Sequence, residues 1–212
     1  MIPLLHDFTD ETVLVVGGGP VGARKARTFA REARTVVVSP AFADRDFGDA
    51  ELVRAAPGPD DVGGWVERLA PALVVAATDD DDVNEATERA AREAGALVNR
   101  ADRSGGRDAG SVVVPATVRD GDVVAAVATG GTAPALSKEL RRRIESEIDG
   151  AGAMADLVAE IRAEQKAAGA AATARRERVR AVVDSPAVWK ALQAGVSNAR
   201  QEATRVMEEI DD

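Results

Sequence analysis

The chain contains no cysteine, and His6 is its single histidine. Without cysteine there can be no disulfide, no thiolate metal site and no cysteine nucleophile, and one histidine excludes zinc sites built from several histidines. Aromatic residues make up only 3 % of the chain, too few for the stacking platforms that bind single-stranded nucleic acids. We interpret His6 as a packing residue beside the first strand, with proton transfer as the alternative. No resident metal site is predicted.

Lysine is also scarce, since only Lys25, Lys138, Lys166 and Lys190 occur among 27 basic residues. Acidic residues number 36, so the formal net charge is −9, and this excess disfavours nucleic-acid binding. Adaptation to concentrated salt and a high-GC genome both explain such a composition. No apolar run has transmembrane length, and the N-terminus lacks the features of a signal peptide. We therefore expect a cytoplasmic protein with no membrane association.

Short β-branched runs alternate with helix-forming segments over the first hundred residues. Thr12–Val16 predicts a buried strand, Ala23–Glu32 a helix, and Thr35–Val38 a second strand. Ala72–Ala77 and Leu97–Asn99 predict later strands of the same kind. Such alternation is typical of a parallel sheet covered by helices on both faces.

The pattern changes after Asn99. Short strands are predicted at Val112–Val114, Ala116–Arg119 and Val123–Ala128, with a hairpin signal at Asp120–Gly121. Helices follow, with a break at Asp184–Pro186. The predicted fold is therefore α/β. It consists of a Rossmann-type NAD-binding domain over residues 1–111, a small α+β segment of strands and a helix over 112–150, and a helical C-terminal domain over 151–212.

A glycine motif stands between the first strand and the first helix. Gly17-x-Gly19-x-x-Gly22 has the strand–loop–helix context that dinucleotide binding requires. The first glycine permits a tight turn, the second lets the backbone approach a pyrophosphate, and the third allows close helix packing. The free N–H groups at the helix start favour phosphate. The motif predicts dinucleotide contacts from Gly17, Gly19, Pro20, Val21 and Gly22.

The residues after the second strand bear on the choice between NAD and NADP. Ser39 stands at the end of the second strand, where an acidic residue usually binds the ribose of NAD. Asp44 and Arg45 follow a few residues later, so NAD is favoured slightly and NADP stays open. Thr78 and Asp79 follow the Ala72–Ala77 strand and are predicted to contact the ribose or the nicotinamide. The alternative at this point is a helix N-cap within Asp80–Asp82.

Seven segments stand in a specific order and spacing over about residues 1 to 148. They are Ile2–Leu4, Leu14–Lys25, Ala76–Asp80, Val83–Asn84, Leu97–Asp102, Val114–Ala116 and Thr129–Leu136. Together they resemble the precorrin-2 dehydrogenase/sirohydrochlorin ferrochelatase family, also found as the N-terminal part of siroheme synthases. The resemblance implies oxidation of precorrin-2 to sirohydrochlorin with NAD, insertion of Fe²⁺ in some members, and a homodimer with a central dimerisation segment at 112–150.

The resemblance also implies roles for particular residues. Asp102 aligns with an aspartate that accepts protons during dehydrogenation and chelation, and its alternative is a loop aspartate that bonds backbone N–H groups. Asn99 is implied as a cofactor contact. A substrate with many carboxylates needs basic groups, and arginine suits carboxylate geometry. The predicted substrate contacts are Arg100, Arg103, Arg107, Arg119, Thr129, Gly130 and Gly131.

Two departures from the family lie near the expected tetrapyrrole site. The segment Arg103–Gly110 lacks the proline, cysteine and phenylalanine usual there, and Ala128 replaces a serine found in some members. They weaken the expectation of chelatase activity more than that of dehydrogenase activity, because hydride transfer is chiefly the chemistry of the cofactor. Two other functions remain open: a non-catalytic NAD-binding regulatory module, and an oxidoreductase with another substrate.

Overall fold

The computed structural model describes residues 2–103 and 110–211, which form two units, Met1–Val114 and Pro115–Asp212. The first unit contains a five-stranded sheet in the order β3-β2-β1-β4-β5, with every pair of neighbours parallel. Its elements are β1 Thr12–Val16, α1 Pro20–Phe29, β2 Arg34–Ser39, β3 Glu51–Arg54, α2 Val62–Leu69, β4 Leu73–Ala76, α3 Asp81–Glu93 and β5 Leu97–Arg100. This is the Rossmann-type arrangement that the alternating pattern predicted.

The three central strands are buried on both faces, which explains their continuous apolar sequences. Side chains of β1 alternate between two cores, because successive residues of a strand point to opposite sides. Val13 and Val15 pack with Phe29 of α1 on one face. Leu14 and Val16 pack on the other face, in the core to which α2 and α3 contribute. The edge strand β3 is largely exposed, and its sequence Glu51–Arg54 has charged residues at both ends.

The second unit joins a hairpin to five helices. Its elements are β6 Ala116–Asp120, β7 Val123–Val127, α4 Pro134–Glu147, α5 Ala151–Ala167, α6 Ala172–Asp184, α7 Pro186–Ala194 and α8 Val196–Asp211. The strands are antiparallel, and the pairing of Asp120 with Val123 leaves a two-residue turn in which Gly121 has φ +53°. The helical core is built on Met154, Leu157, Ile161, Val182 and Val188, completed by small alanines.

Most predicted elements are confirmed, but Val112–Val114 is not a strand. It is an extended segment held beside β5 by a hydrogen bond from the Val112 N–H to the Val98 carbonyl oxygen, 2.7 Å long, and by one isolated bridge between Val98 and Ser111. The predicted helix break before Pro186 is confirmed. Two further breaks, near Gly169 and Gly195, were missed, and both glycines have positive φ.

The hairpin, α4 and the later helices belong to one unit, although the sequence pattern suggested a boundary near residue 150. One physical link across that point joins α5 to the hairpin turn. The Gly152 N–H donates to Oδ2 of Asp120 at 3.0 Å, and a Cβ on Gly152 would lie 2.6 Å from the Asp120 carbonyl oxygen. The division into NAD-binding, dimerisation and C-terminal domains stays a prediction. Within the described residues, no helix combines the length and the apolar character needed to cross a membrane.

Candidate dinucleotide site

The β1–α1 turn is tighter than any side chain would allow. Gly17 has φ +117°, and a Cβ there would lie 2.4 Å from the carbonyl oxygen of Ala77. A Cβ on Gly22 would lie 2.0 Å from the carbonyl oxygen of Gly17. Both distances are far below van der Waals contact. Gly17 therefore lets the loop touch the end of β4, and Gly22 lets α1 begin directly against the loop, as the motif predicted.

Gly19 differs from its neighbours because nothing lies within 4 Å of where its Cβ would be. It is the N-cap of α1 and has no side chain to bond the first helical N–H groups. Pro20 occupies the first turn, where its missing N–H costs nothing. The open backbone and the positive end of the helix dipole together form a surface that suits a phosphate group.

A cleft of about 710 Å³ opens above this turn. Its lining comes from the glycine loop, the ends of β2 and β4, and residues 56–59 after β3. Of the predicted cofactor contacts, it is lined by Gly17, Gly19, Pro20, Val21, Ser39, Thr78 and Asp79. Gly22 lies beneath the loop instead. The cleft therefore stands at the carboxyl edge of the parallel strands, where open α/β sheets bind their ligands.

Two parts of the cleft were missed by the sequence interpretation. Gly18 is also required, since a Cβ on it would lie 2.3 Å from the Ala41 carbonyl oxygen. Its own carbonyl oxygen accepts a hydrogen bond from the Ala43 N–H at 2.8 Å. The second part is the segment Ala56–Pro59, whose Pro-Gly-Pro sequence signals a turn but carries no reactive group to draw attention to it.

The end of β4 is organised by Asn84, which is fully buried on α3. Its Oδ1 accepts hydrogen bonds from the Thr78 N–H at 3.1 Å and from the Thr78 hydroxyl at 2.8 Å, and its amide donates to the Thr78 carbonyl oxygen. Asp80 is the N-cap of α3 and accepts from two backbone N–H groups. Of the acidic residues that follow β4, Asp79 thus lines the cleft without serving as the cap.

The end of β2 carries no acidic group. Ser39 is 6 % exposed, and its hydroxyl donates to the Ala41 carbonyl oxygen at 2.7 Å. Neither Asp44 nor Arg45 lines the cleft. Arg54, at the end of β3, donates from Nη1 to the Pro40 carbonyl oxygen at 3.0 Å. A cation rather than a carboxylate therefore lies beside the β2 end, an arrangement that does not select against a ribose 2′-phosphate.

Asn99 is buried on β5 and is not among the residues that line the cleft. Its Nδ2 donates to the Val112 carbonyl oxygen at 2.8 Å, which holds the 111–114 segment beside the sheet. Its Oδ1 is buried without a hydrogen-bond partner among the described residues. The geometry thus assigns Asn99 a structural contact and does not support the predicted contact with the cofactor.

A buried ion-pair network follows β5. Arg100 donates from Nε to Oδ1 of Asp102 at 2.9 Å and from Nη2 to Oδ2 at 2.6 Å. Its Nη1 donates to Oε2 of Glu88 on α3 at 2.9 Å, and Arg92 approaches the other Glu88 oxygen at 2.7 Å. The side chain of Arg100 is only 4 % exposed. The prediction of Arg100 as a substrate contact is therefore not supported, because two carboxylates engage its guanidinium.

The network controls the charge of Asp102, whose side chain is 16 % exposed. Burial alone would raise the pKa of Asp102, but the hydrogen bonds and positive charge of Arg100 outweigh it and lower that pKa, with a smaller contribution from Arg103. The same hydrogen bonds raise the pKa of Arg100. Asp102 is therefore ionised at neutral pH, and each of its oxygens keeps a lone-pair site for another donor.

The remaining predicted substrate contacts are scattered. Arg103 is exposed and pairs with Glu85 at 3.2 Å, while Arg107 lies outside the described residues. In the second unit, Arg119 is exposed on β6. Gly130 and Gly131, both with positive φ, form the turn before α4, in which the Thr129 hydroxyl is 2.7 Å from that of Ser137.

Comparison with known proteins places the first unit in a family of NAD(P)-binding domains. A family model of NAD(P)-binding domains matches residues 4–116. The chain is 35 % identical over 204 residues to the siroheme synthase of Stutzerimonas stutzeri, in an alignment that covers 94 % of this chain and 43 % of that protein. It is 29 % identical over 215 residues to the precorrin-2 dehydrogenase of Methanosarcina barkeri, covering 97 % of this chain and 93 % of that protein.

Among solved structures, SirC, a precorrin-2 dehydrogenase, matches with a TM-score of 0.71 at 23 % identity, covering 99 % of this chain and 100 % of the other. This likeness shows the fold. Sheet, glycine loop and cleft define an NAD(P)-binding protein of the Rossmann class. The chain belongs to that NAD(P)-binding family, and its relatives confirm the predicted resemblance to precorrin-2 dehydrogenases and siroheme synthases. It spans less than half the length of the siroheme synthase it matches.

The second and third glycines of the motif, Gly19 and Gly22, lead to opposite predictions. Gly19→Ala adds a methyl group to open space, so we expect the free energy of unfolding to change by less than about 0.5 kcal/mol. The same methyl group intrudes on the path of a pyrophosphate, so NAD affinity should fall at least about tenfold. Gly22→Ala must push α1 from the loop and should cost about 1–3 kcal/mol. Urea unfolding measures the free energy of unfolding of each variant, and calorimetric titration measures its affinity for NAD. Unchanged NAD affinity in Gly19→Ala would contradict the phosphate assignment.

Removing the Arg100 charge should destabilise the protein in a pH-dependent way. Arg100→Gln leaves Glu88 and Asp102 without their cation, a loss of about 3–5 kcal/mol at pH 7. Because the folded-state pKa of Asp102 is depressed, the stabilisation is present above its ordinary value and disappears as pH falls through the depressed value. Urea unfolding at several pH values tests this.

The matched control is Arg103→Gln, an exposed pair, which should cost at most about 1 kcal/mol. Arg100→Lys keeps the charge without the bidentate geometry and should lie between the wild type and Arg100→Gln. Equal losses in Arg100→Gln and Arg103→Gln, or a loss independent of pH, would show that the network does not hold Asp102 ionised.

Proposed function

We propose that this chain oxidises precorrin-2 to sirohydrochlorin with NAD as hydride acceptor, a step of siroheme biosynthesis. The observation that carries the proposal is one shared edge of the sheet. The glycine cleft opens at the carboxyl ends of β1, β2 and β4, and Asp102 follows the carboxyl end of the adjacent β5. A dinucleotide surface and an ionised carboxylate therefore belong to the same side of the same domain.

The register of the sheet sets the position of Asp102 relative to Thr78. Ala76 of β4 pairs with Arg100 of β5, and the Ala101 N–H donates to the Ala76 carbonyl oxygen at 2.8 Å. Thr78 and Asp102 thus each stand two residues beyond one paired position. Thr78 is held by buried Asn84, and Asp102 by buried Arg100, so both loop ends are fixed by hydrogen bonds to the sheet and α3.

The residues present fit a nicotinamide dinucleotide, because Gly19 leaves its backbone open to the cleft and the start of α1 offers unpaired N–H groups. The bound nicotinamide supplies the hydride acceptor. The chain itself must bind both reactants, exclude water and accept the proton that the substrate releases. Loss of a hydride from a reduced tetrapyrrole leaves a cation. A neighbouring carboxylate would stabilise that charge, accept the ring proton that is then lost, and pass it to water. The ionised state of Asp102 suits this role.

NAD is the acceptor we propose, although the β2 end lacks the carboxylate typical of NAD enzymes. With Ser39 bonded internally and Arg54 nearby, the described residues that line that end of the cleft include no carboxylate to repel the extra phosphate of NADP. We therefore expect weak discrimination, with kcat/KM for the two cofactors within about tenfold, roughly the contribution of one hydrogen bond to a charged group.

Iron insertion is less well supported by this geometry. The described parts of the chain contain no cluster of three or more His, Cys, Asp or Glu side chains that could hold a metal ion. Dehydrogenation is therefore the activity that we propose. Insertion of ferrous iron is tested separately, with Fe²⁺ supplied as a substrate. A cytoplasmic location stays a prediction of the sequence.

We further propose that the chain forms a homodimer through the second unit. Not one α4 residue in the described structure is buried, although Leu136, Leu140 and Ile144 lie on one face at four-residue spacing. Leu136 is 50 % exposed, and the valines of β7 are only half-buried. A second copy of this apolar surface is the simplest cover for it.

The activity is tested by incubating the purified chain with precorrin-2 and either NAD or NADP. We expect NADH absorbance and the sirohydrochlorin spectrum to appear together. Asp102→Asn should lower kcat by about 10²–10⁴-fold, the range for a positioned acid–base group. Asp49→Asn, an exposed aspartate that does not line the cleft, is the matched control and should keep full rate.

Three results would contradict the proposal. NAD binding without turnover of precorrin-2 would favour the regulatory module, whereas turnover of a different substrate would favour another oxidoreductase. Full activity of Asp102→Asn would remove that residue from the chemistry. Ferrous iron added to the completed reaction tests chelation separately, by its effect on the sirohydrochlorin spectrum.

The dimer is tested by light scattering during gel filtration. The wild type should show twice its chain mass of 22.0 kDa. Leu136→Asp puts a charge on the proposed interface and should give the monomer mass with unchanged circular dichroism, because Leu136 is exposed within the chain. A wild type of 22.0 kDa would overturn the proposed dimer.

A further inference from the structure

Four cationic side chains surround one hollow in the second unit. Arg162 and Lys166 lie one turn apart on α5, and Arg175 and Arg176 lie near the start of α6. With Ala172 they line a space of about 260 Å³, which we call the basic hollow. Among the described residues no acidic side chain contributes to its lining, although the whole chain has 36 acidic and 27 basic residues.

Among the described residues these four cations have no ion-pair partner, unlike the arginines of α4 and α8. Ion pairs join Arg142 and Arg143 to Glu139, and Arg205 to Glu202 and Glu209, at spacings of three or four residues. No cation of the basic hollow forms an ion pair with a described residue, and Arg175 donates to the Ala170 carbonyl oxygen. The sequence explains the difference, because no acidic residue stands three or four positions from any of the four.

This arrangement is unfavourable for the free protein. Arg162 and Lys166 are like charges at a spacing of four, which destabilises a helix. Arg175 and Arg176 lie near the positive end of the α6 dipole, where cations are disfavoured. The N-cap of α6 is Ala171, which has no side-chain hydrogen bond to offer, and the first turn has no acidic residue. An anion in the hollow would relieve all three conditions.

We propose that the basic hollow is a binding site for an oligoanion that carries two or more carboxylate or phosphate groups. Three of the four cations are arginines, whose planar guanidinium groups pair with both kinds of anion through two hydrogen bonds. The volume decides the size of the ligand. Pockets for whole drug-sized ligands occupy about 300–1,000 Å³, so the hollow admits a small oligoanion or pendant acid groups and excludes a complete tetrapyrrole ring.

Two sources could supply this chemistry: a free oligoanion, or the carboxylate side chains of the tetrapyrrole substrate. Only the second source rests on the proposed function. The site itself is tested without enzyme turnover, by calorimetric titration with inorganic pyrophosphate at low and high KCl. Excess NAD is present, so that pyrophosphate does not enter the glycine loop. The variants described below change only cations of the second unit, so any pyrophosphate bound near Arg54 or the other first-unit cations should be the same in all of them.

The informative variant is Lys166→Gln with Arg176→Gln, which removes one cation from each side of the hollow. Its matched control is Lys190→Gln with Arg180→Gln, which removes the same two charges from exposed positions of α6 and α7 that do not line it. We expect the pyrophosphate Kd to rise at least about tenfold in the hollow variant and to stay unchanged in the control. Binding should weaken with KCl in the wild type.

Equal pyrophosphate affinity in both variants, or no measurable binding by the wild type, would overturn the site.

Steady-state kinetics then distinguish the two sources of the anion. If substrate carboxylates occupy the hollow, the hollow variant raises KM for precorrin-2 about tenfold or more with kcat and the KM for NAD unchanged, and pyrophosphate competes with precorrin-2. If a free oligoanion is the ligand, KM for precorrin-2 is unchanged. A chain that binds pyrophosphate in the hollow but does not oxidise precorrin-2 would refute the proposed function alone.

Discussion

The close approach of α1 to β1 is the constraint on which the first unit depends. A Cβ on Gly22 would lie 2.0 Å from the Gly17 carbonyl oxygen, so the helix starts closer to the strand end than any side chain permits. This approach aims the free N–H groups of α1 at the cleft. It also lets Gly17 touch Ala77, which brings the end of β4 to the same place. The dinucleotide surface is thus made of backbone, and its neighbours on both sides are set by contacts that only glycine allows.

The second organising feature is electrostatic. Burying Arg100 would be costly by itself, but Glu88 and Asp102 surround it with negative charge, and Arg92 pairs with the free Glu88 oxygen. The network ties β5 to α3 and fixes the loop that follows the strand. Since α3 also supplies Asn84 to the end of β4, one helix holds both loops at this edge of the sheet. Two polar anchors on α3 therefore shape the region in which we place the chemistry.

The two units differ in the partners of their charged and polar side chains. In the first, polar groups at the strand ends are bonded to buried partners and the phosphate surface is uncharged backbone. In the second, arginines of the helices are mostly paired along their own helix, and the basic hollow is the exception. An acidic chain of net charge −9 gains little from unpaired cations unless they meet an anion. The contrast suggests that anion recognition uses oriented N–H groups in one unit and guanidinium groups in the other.

The sequence by itself determined what is local: the alternation of strands and helices, the glycine motif in its strand–loop–helix context, and the hairpin at Asp120–Gly121. Each rests on backbone propensity and on residues within one turn or strand. Tertiary structure alone decided the environment of Arg100 and Asn99, which the sequence predicts as ligand contacts and which are buried against Glu88 and Val112. It also decided that Val112–Val114 forms no strand and that cations of α5 and α6 share one hollow. These outcomes depend on partners distant in sequence, whose proximity no local pattern encodes.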